Sequence, residues 1–310
     1  MKKCWIIGRR NGVGLEQDSA LISQALAGCE VRTFTPREWK TALNPFRQAD
    51  AIIHLERVFP LWQLKRGTHF LIPNQERFPL RHLGRLKTID HILCKSRHAL
   101  EIFSNLHPSA RFIGFTSRDR GNDGSPPDYT RFFHLAGRST LKNTGLLFEL
   151  WRKHPEWPVL TVVQDPRNAP ATVPTNVNLV SRYLPDEELR SLQASHGIHL
   201  CPSLSEGWGH YIVEAMSCRA VTVVTDAPPM NELVGPDRGI LVPFHRDEPR
   251  NLGRNFHVDP AALESAVMQL INASETEKQE LGNAARKWFE TNDESFAGAL
   301  RMALQGAGES

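Results

Sequence analysis

The stretch Ile198–Leu233, IHLCPSLSEGWGHYIVEAMSCRAVTVVTDAPPMNEL, decides how the rest of the chain is read. Ile198–Cys201 is a short apolar run stopped by Pro202 and Ser203, which reads as a strand. The loop Ser205–His210 holds two glycines, and Tyr211–Met216 starts a helix with Ile212, Val213 and Met216 available for one apolar face. Val221–Val224 is a β-branched strand of the kind buried on both faces. Strand, loop, helix and strand make the repeating unit of a parallel α/β sheet. Its loop lies at the carboxyl edge, where such sheets bind ligands and helix N-termini attract phosphate. Two carboxylates stand in this stretch, Glu206 on the loop and Glu214 inside the helix. Spacing alone gives them no role, because glutamates eight apart are common on helix-rich chains.

The same rhythm extends to both sides. In the first half, strands are expected at Cys4–Gly8, Val31–Phe34, Ala51–Leu55, His69–Ile72, His91–Cys94 and Arg111–Phe115. In the second they are expected at Phe132–Ala136, Val159–Val163, Val177–Val180, Ile198–Cys201, Val221–Thr225 and Gly239–Val242. Helical patterns fall between them at Gly145–Lys153, Asp186–Ala194 and Tyr211–Cys218. The polar, Gly/Pro-rich stretch Arg120–Thr130 divides the two series and reads as a linker. The expected fold class is therefore α/β, with two Rossmann-like doubly wound domains facing each other across a cleft. Their spans are residues 1–125 and 126–293. His245–His257 reads as a charged loop. Helices are expected over Pro260–Ala273, Glu275–Asn292 and Glu294–Leu304, with the terminal one, about 294–310, returning to the first domain.

Bulk properties narrow the function class. A chain of 310 residues can bury two cores. No apolar run is long enough for a transmembrane helix, and Cys4–Ile7 is too short for a signal peptide core. The five cysteines, at positions 4, 29, 94, 201 and 218, show no paired metal spacing and read as buried thiols in a reducing cytoplasm. A formal charge of +3 is too small to imply nucleic acid by itself.

The run Ser203–Val234 resembles the nucleotide-sugar site of GT-B glycosyltransferases, in particular the retaining family 4 (group 1) type. That family carries a Glu-x7-Glu motif, here Glu206 and Glu214, with a Gly-rich loop after the first and a Glu-Ala-Met run at the second. Phe132–Thr144, FFHLAGRSTLKNT, resembles the family's strand, Gly-Arg, loop and Lys element, whose Arg and Lys stand a residue or more further apart. The resemblance covers about Phe132 to Val242, and the first half matches in rhythm only.

The resemblance implies a retaining, metal-independent transfer of a sugar from a nucleotide-sugar donor to an unidentified acceptor, with no cofactor. Arg138 and Lys142 would hold the diphosphate as cations, with Ser139 adding a hydrogen bond. Gly207, Gly209, His210 and Tyr211 would bring backbone N–H groups to it. Glu214 would accept from the ribose hydroxyls, and Glu206 would sit near the transferred sugar. Arg182, Tyr183 and Leu184 would border the base, and Gly12 and Gly14 of RRNGVG would bring backbone to the donor. His54, Glu56, Asn74, Gln75 and Glu76 are the acceptor-side candidates, because the family's histidine after the fourth strand is absent here.

The basic run Arg77–Arg97 places Arg77, Arg81 and Arg85 at every fourth position, one face of a helix. Such a face is either solvated or fits an anionic acceptor or a membrane surface, so the location expected is cytoplasmic or peripheral at a membrane. Two other readings stay open. One is a nucleotide-sugar epimerase or hydrolase on the same fold, and the other a non-catalytic protein that binds polyanions or nucleic acid.

Overall fold

The computed structural model describes residues 2–9, 14–122 and 126–306, so Gly12 lies outside the described residues. The chain divides into two compact units. The first comprises Met1–Ser117, Pro249–Gly253 and Thr291–Ser310, and the second Arg118–Glu248 and Arg254–Glu290.

In the first unit six strands form one sheet: β1 (Lys3–Ile7), β2 (Glu30–Phe34), β3 (Ala51–Glu56), β4 (Thr68–Pro73), β5 (His91–Cys94) and β6 (Ala110–Phe112). Their order is β2-β1-β3-β4-β5-β6 and every pair is parallel. All six residues of β3 and all four of β5 are buried, as continuous apolar runs predict for a sheet covered on both faces. Helices α1 (Gly14–Ala25), α2 (Trp39–Leu43) and α3 (Arg97–Ser104) connect strands, and 3-10 turns take the other crossovers at Pro60–Leu64, Gln75–Arg77 and Leu80–Thr88.

Those turns correct the reading of Arg77–Arg97. Pro79 separates Arg77 from the next 3-10 segment, and three residues per turn rotate Arg85 off the face of Arg81. Arg85 instead meets His82, three positions back, at 2.9 Å. Lys95 is buried against Asp18 at 2.6 Å and adds nothing to a basic surface.

In the second unit the strands are β7 (Asp128–Gly137), β8 (Leu160–Gln164), β9 (Val177–Val180), β10 (His196–Cys201), β11 (Val221–Thr225) and β12 (Gly239–Val242). The order β12-β11-β10-β7-β8-β9, again all parallel, is that of a doubly wound dinucleotide-type sheet. Helices α4 (Thr144–Lys153), α5 (Asp186–Ser195), α6 (His210–Ser217), α7 (Met230–Leu233), α8 (Pro260–Asn272) and α9 (Glu275–Gln305) complete the described chain. β7 opens four residues before the expected Phe132, which shortens the linker. One core joins Phe132, Trp151, Leu160, Ile198, Val221, Val223 and Leu263.

Two further expectations fail. Residues 244–258 form a hairpin, β13 (Phe244–Arg250) and β14 (Gly253–Val258), where a loop was expected. The strand FHRDEPR has no apolar phase, so period-two alternation gives no signal. Its turn uses Asn251 at φ 52. Helix α9 runs unbroken through Asp293, where the sequence suggested two helices. The polar residues that looked like a break are tied down within the first unit. Asn292 Nδ2 donates to Phe115 O at 2.7 Å and Thr116 Oγ1 donates to Asp293 Oδ1 at 2.7 Å.

Gly282 of α9 shows how closely this helix packs in the second unit. A Cβ there would lie 2.1 Å from Arg219 O and 2.5 Å from Tyr129 Oη. Gly282→Ala therefore lowers stability by about 1–3 kcal/mol, despite the better helix propensity of alanine. A urea midpoint equal to that of the parent protein contradicts this packing.

Candidate active site

β7 and β10 are neighbours in space from which the chain winds outward in opposite directions, so a crevice opens between the loops that leave them. The loop after β7 begins with a bulge. Leu135 pairs with Val163 and Gly137 with Gln164, leaving Ala136 as an extra residue, and Gly137 takes φ 54. Arg138 follows, with its side chain half exposed and Nε 3.6 Å from Asp165 Oδ2. Asp165, at the end of β8, is bound more tightly by Arg167, which holds its carboxyl well below the usual range. Ser139 Oγ accepts from Leu141 N at 3.2 Å, which fixes the turn toward Lys142.

Lys142 is half-buried and points back over the sheet edge. Its Nζ donates to Leu135 O at 2.9 Å and lies 3.6 Å from the centre of the Tyr211 ring. Burial pushes its pKa down, while the charges of Glu206 and Glu214 oppose that shift. A desolvated ammonium gains from any further anion that arrives beside it. Asn143, at φ 57, then turns the chain into α4.

The loop after β10 supplies the opposite charge. Tyr211 is buried and its Oη lies 2.5 Å from Ser203 Oγ, which in turn donates to Glu206 Oε1 at 2.7 Å. The carboxylate can only accept, so Tyr211 donates to Ser203 and Ser203 to Glu206. The resulting chain runs Tyr211, Ser203, Glu206, with Lys142 resting on the tyrosine face. Three hydrogen bonds to its backbone and neighbours hold the loop: Leu204 N donates to Leu141 O at 2.8 Å, Phe256 N to Leu204 O at 2.7 Å, and the Thr225 hydroxyl to Ser203 O at 2.8 Å. The hairpin missed in the sequence thus pins the Glu206 loop through Phe256.

Gly207 and Trp208 are buried in this loop. Gly209 takes φ 105 ahead of α6, where a Cβ would meet Ile212 Cδ1 at 3.1 Å. His210, the first residue of α6, is half-buried. The N-termini of α4 and α6 both open at this edge, and each brings the positive end of a helix dipole.

Glu214 lies deeper than a purely ligand-facing carboxylate. It is 3% exposed, accepts from Gln193 Nε2 at 3.0 Å, and has Arg120 Nε 4.0 Å from its Oε1. Arg120, expected in a linker, is buried and also bonds Asp186 at 2.8 Å. His199 Nε2 donates to Gln193 O at 3.0 Å, so this carboxylate is backed by an ordered polar layer. Sequence reasoning missed Ser203, Arg120 and Gln193. Only Ser203, in the quoted stretch, had a local signal.

Burial holds His134 and His196 down at about 4 and His199 at about 3, so all three are neutral in the folded protein. Unfolding returns each to an ordinary value near ~6.5. The stability they contribute is present above that value and is lost as pH falls toward the folded values, at about 1.4 kcal/mol per pH unit for each histidine. The urea midpoint therefore drops between pH 7 and pH ~5, and an unchanged midpoint contradicts these assignments.

The remaining candidates are more scattered. Arg182 pairs with Glu188 (Nη1 to Oε2, 3.0 Å), Tyr183 is 87% exposed and Leu184 is half-buried. In the first unit, His54 is a core residue rather than an edge residue. Phe59 N donates to its Nδ1 at 3.3 Å and its Nε2 lies 3.1 Å from His69 Nδ1. Glu56, at φ 67, is buried and paired with Arg57. The side chains of Gln75 and Glu76 are buried, and their backbone carbonyls accept from Leu252 N and Asn251 Nδ2.

Asn74 remains half-buried at the end of β4. Its Oδ1 accepts from Lys95 Nζ at 3.2 Å, which turns the amide NH2 the other way. Gly14 opens α1, beside a groove of about 470 Å³ lined by Gly8, Arg9, Leu15, Glu16, Ser19 and Thr35.

Comparison with known proteins gives one family match and several structural likenesses. Residues 173–288 match the family model of glycosyl transferases group 1. Its whole length is similar in structure to sucrose-phosphate synthase from Thermosynechococcus elongatus, with a TM-score of 0.77 at 15% identity, covering 99% of this chain and 100% of that one. It is also similar to a glycosyltransferase from Rickettsia africae ESF-5 (TM-score 0.73, 13% identity, 99% and 98% covered). A third likeness is to Anabaena Alr3699/HepE in complex with UDP and glucose (TM-score 0.69, 14% identity, 100% and 99% covered). These likenesses carry the fold, which is GT-B. No curated protein matches the chain. Among the described residues, no helix is long and apolar enough to cross a membrane.

Proposed function

We propose that this protein is a glycosyltransferase that moves a sugar from a nucleoside-diphosphate donor, held by the second unit, to an acceptor held by the first, with retention at the anomeric carbon. The observation that carries the reading is the meeting of Lys142 and Glu206 at the β7–β10 switch point, tied together through Tyr211 and Ser203. The bond from the anomeric carbon to the diphosphate breaks as the acceptor oxygen approaches from the same face, and the acceptor proton passes to a departing phosphate oxygen. Negative charge then gathers on the diphosphate. Arg138, Lys142 and the N-termini of α4 and α6 stabilise it there without a metal ion. Glu206 faces the positive character at the anomeric carbon.

Asn74, with its amide fixed by Lys95, and the groove between α1 and the end of β2 are the acceptor-side features this reading uses. Incubation with donor and candidate acceptors tests it. Product with the donor's anomeric configuration is expected, undiminished by a chelator of divalent cations. Rapid turnover of donor alone would instead assign an epimerase or hydrolase, and loss of turnover in the chelator would overturn the metal-free part.

A further inference from the structure

We infer that the outer face of α2 and the neighbouring 3-10 turn Pro60–Leu64 docks the first unit on an anionic lipid surface. Ala42 of α2 and Trp62 of the turn are buried in one cluster with Trp5, Ile52 and Phe59, so both short segments cover the same side of the sheet. Lys65 Nζ donates to Asn44 O and Arg47 O, tying the end of the turn to the loop after α2. On a 3-10 helix residues three apart share a face, so Leu61 and Leu64 lie together, away from Trp62.

The exposed side of this pair is apolar to an unusual degree. Trp39 is 52% exposed, Leu43 51%, Phe46 94%, Leu61 44% and Leu64 69%. Single exposed apolar residues are ordinary, but five on two adjoining segments mark an interaction surface.

Charge selects the partner. Arg37, Lys40, Arg47 and Arg66 are exposed in and beside these segments, against two exposed acids: Glu38, whose carboxylate accepts from Thr35 N and Oγ1, and Asp50, which accepts from Lys3 N. A symmetric contact with a second copy of this chain would bring these cations face to face. An anionic bilayer pairs with them instead, while Phe, Leu and Trp side chains enter the boundary between headgroups and acyl chains. Short amphipathic segments of this kind lie in the interface and need no spanning helix. The inference does not depend on the donor-site reading.

Co-sedimentation of the full chain with vesicles tests it, comparing phosphatidylcholine alone with equal parts phosphatidylcholine and phosphatidylglycerol. Binding to the anionic vesicles only, weakened by salt, is expected. Lys40→Gln with Arg47→Gln lowers the partition coefficient roughly thirty-fold, at about fivefold per basic residue near the surface. Phe46→Ser with Leu64→Ser lowers it at least as far, and both variants keep the parent melting temperature and donor turnover in solution, because neither pair touches the core or the donor site. Absence of binding to anionic vesicles, or equal binding by both variants, overturns the inference. Self-association of the parent that Phe46→Ser with Leu64→Ser abolishes, without vesicle binding, overturns it in favour of a second copy.

Discussion

Lys142→Met lowers kcat for sugar transfer by about 10²–10³-fold, the effect of removing one preorganised group from a site of developing negative charge. The substitution keeps a long apolar stem over Tyr211 and deletes only the ammonium, which lies 3.6 Å from that ring and 2.9 Å from Leu135 O. Folding therefore changes little, while the departing diphosphate loses a cation already stripped of water. Because this interaction strengthens as the leaving group gains charge, kcat and kcat/KM fall together. Lys142→Arg does not restore the rate. The planar guanidinium is broader than the point charge seated between the tyrosine face and the strand-end carbonyl. Steady-state kinetics with thermal melting as the fold control checks the prediction, and a rate within threefold or so of the parent contradicts it.

Glu206→Ala produces a loss of similar size, about 10²–10³-fold, for the opposite electrostatic reason. Its carboxylate is aimed by Ser203, itself aimed by Tyr211, so its charge is fixed before the substrate arrives. Glu206→Gln separates charge from shape. The amide oxygen still accepts from Ser203, yet most of the loss persists, because the amide no longer opposes positive charge at the anomeric carbon. Ser203→Ala costs only about tenfold, the worth of one orienting hydrogen bond. Combined with Glu206→Ala it adds almost nothing, since the residue it orients is already gone. Additive losses in the double variant contradict the relay from Tyr211 through Ser203 to Glu206.

Much of this architecture is legible in the chain because buried parallel strands are written as apolar runs. Val177–Val180, Val221–Thr225 and Gly239–Val242 are found at the bounds the sequence predicts. What sequence patterning cannot convey is what lies outside a core or depends on distant partners. The hairpin β13–β14 has no apolar phase to read, yet its Phe256 bonds the Glu206 loop. His54 and Glu56 look like strand-end polar residues until the neighbouring β4 brings His69 against the histidine and the chain turns at Glu56.

Arg77, Arg81 and Arg85 fit a helical period, but Pro79 and the 3-10 geometry break that face. Lys95 belongs by sequence to the same basic run, although a partner 77 residues away, Asp18, draws it into the core. Within the proposed donor site, Glu206, Lys142 and Gly209 are visible through local motif and turn chemistry. Arg120 and Gln193 are not, because their link to Glu214 exists only after three segments fold together.

The most direct test of the donor site is thermal stabilisation by nucleoside diphosphates, measured on the parent protein and on Lys142→Met under the same conditions. A ligand that binds only the folded state at a hundredfold excess over its Kd adds about 2.7 kcal/mol. At least one nucleoside diphosphate is expected to raise the melting temperature of the parent, and Lys142→Met to lose most of that rise. A parent protein that no nucleoside diphosphate stabilises, or a Lys142→Met variant stabilised as fully as the parent, contradicts the assignment of the β7–β10 edge to the departing diphosphate.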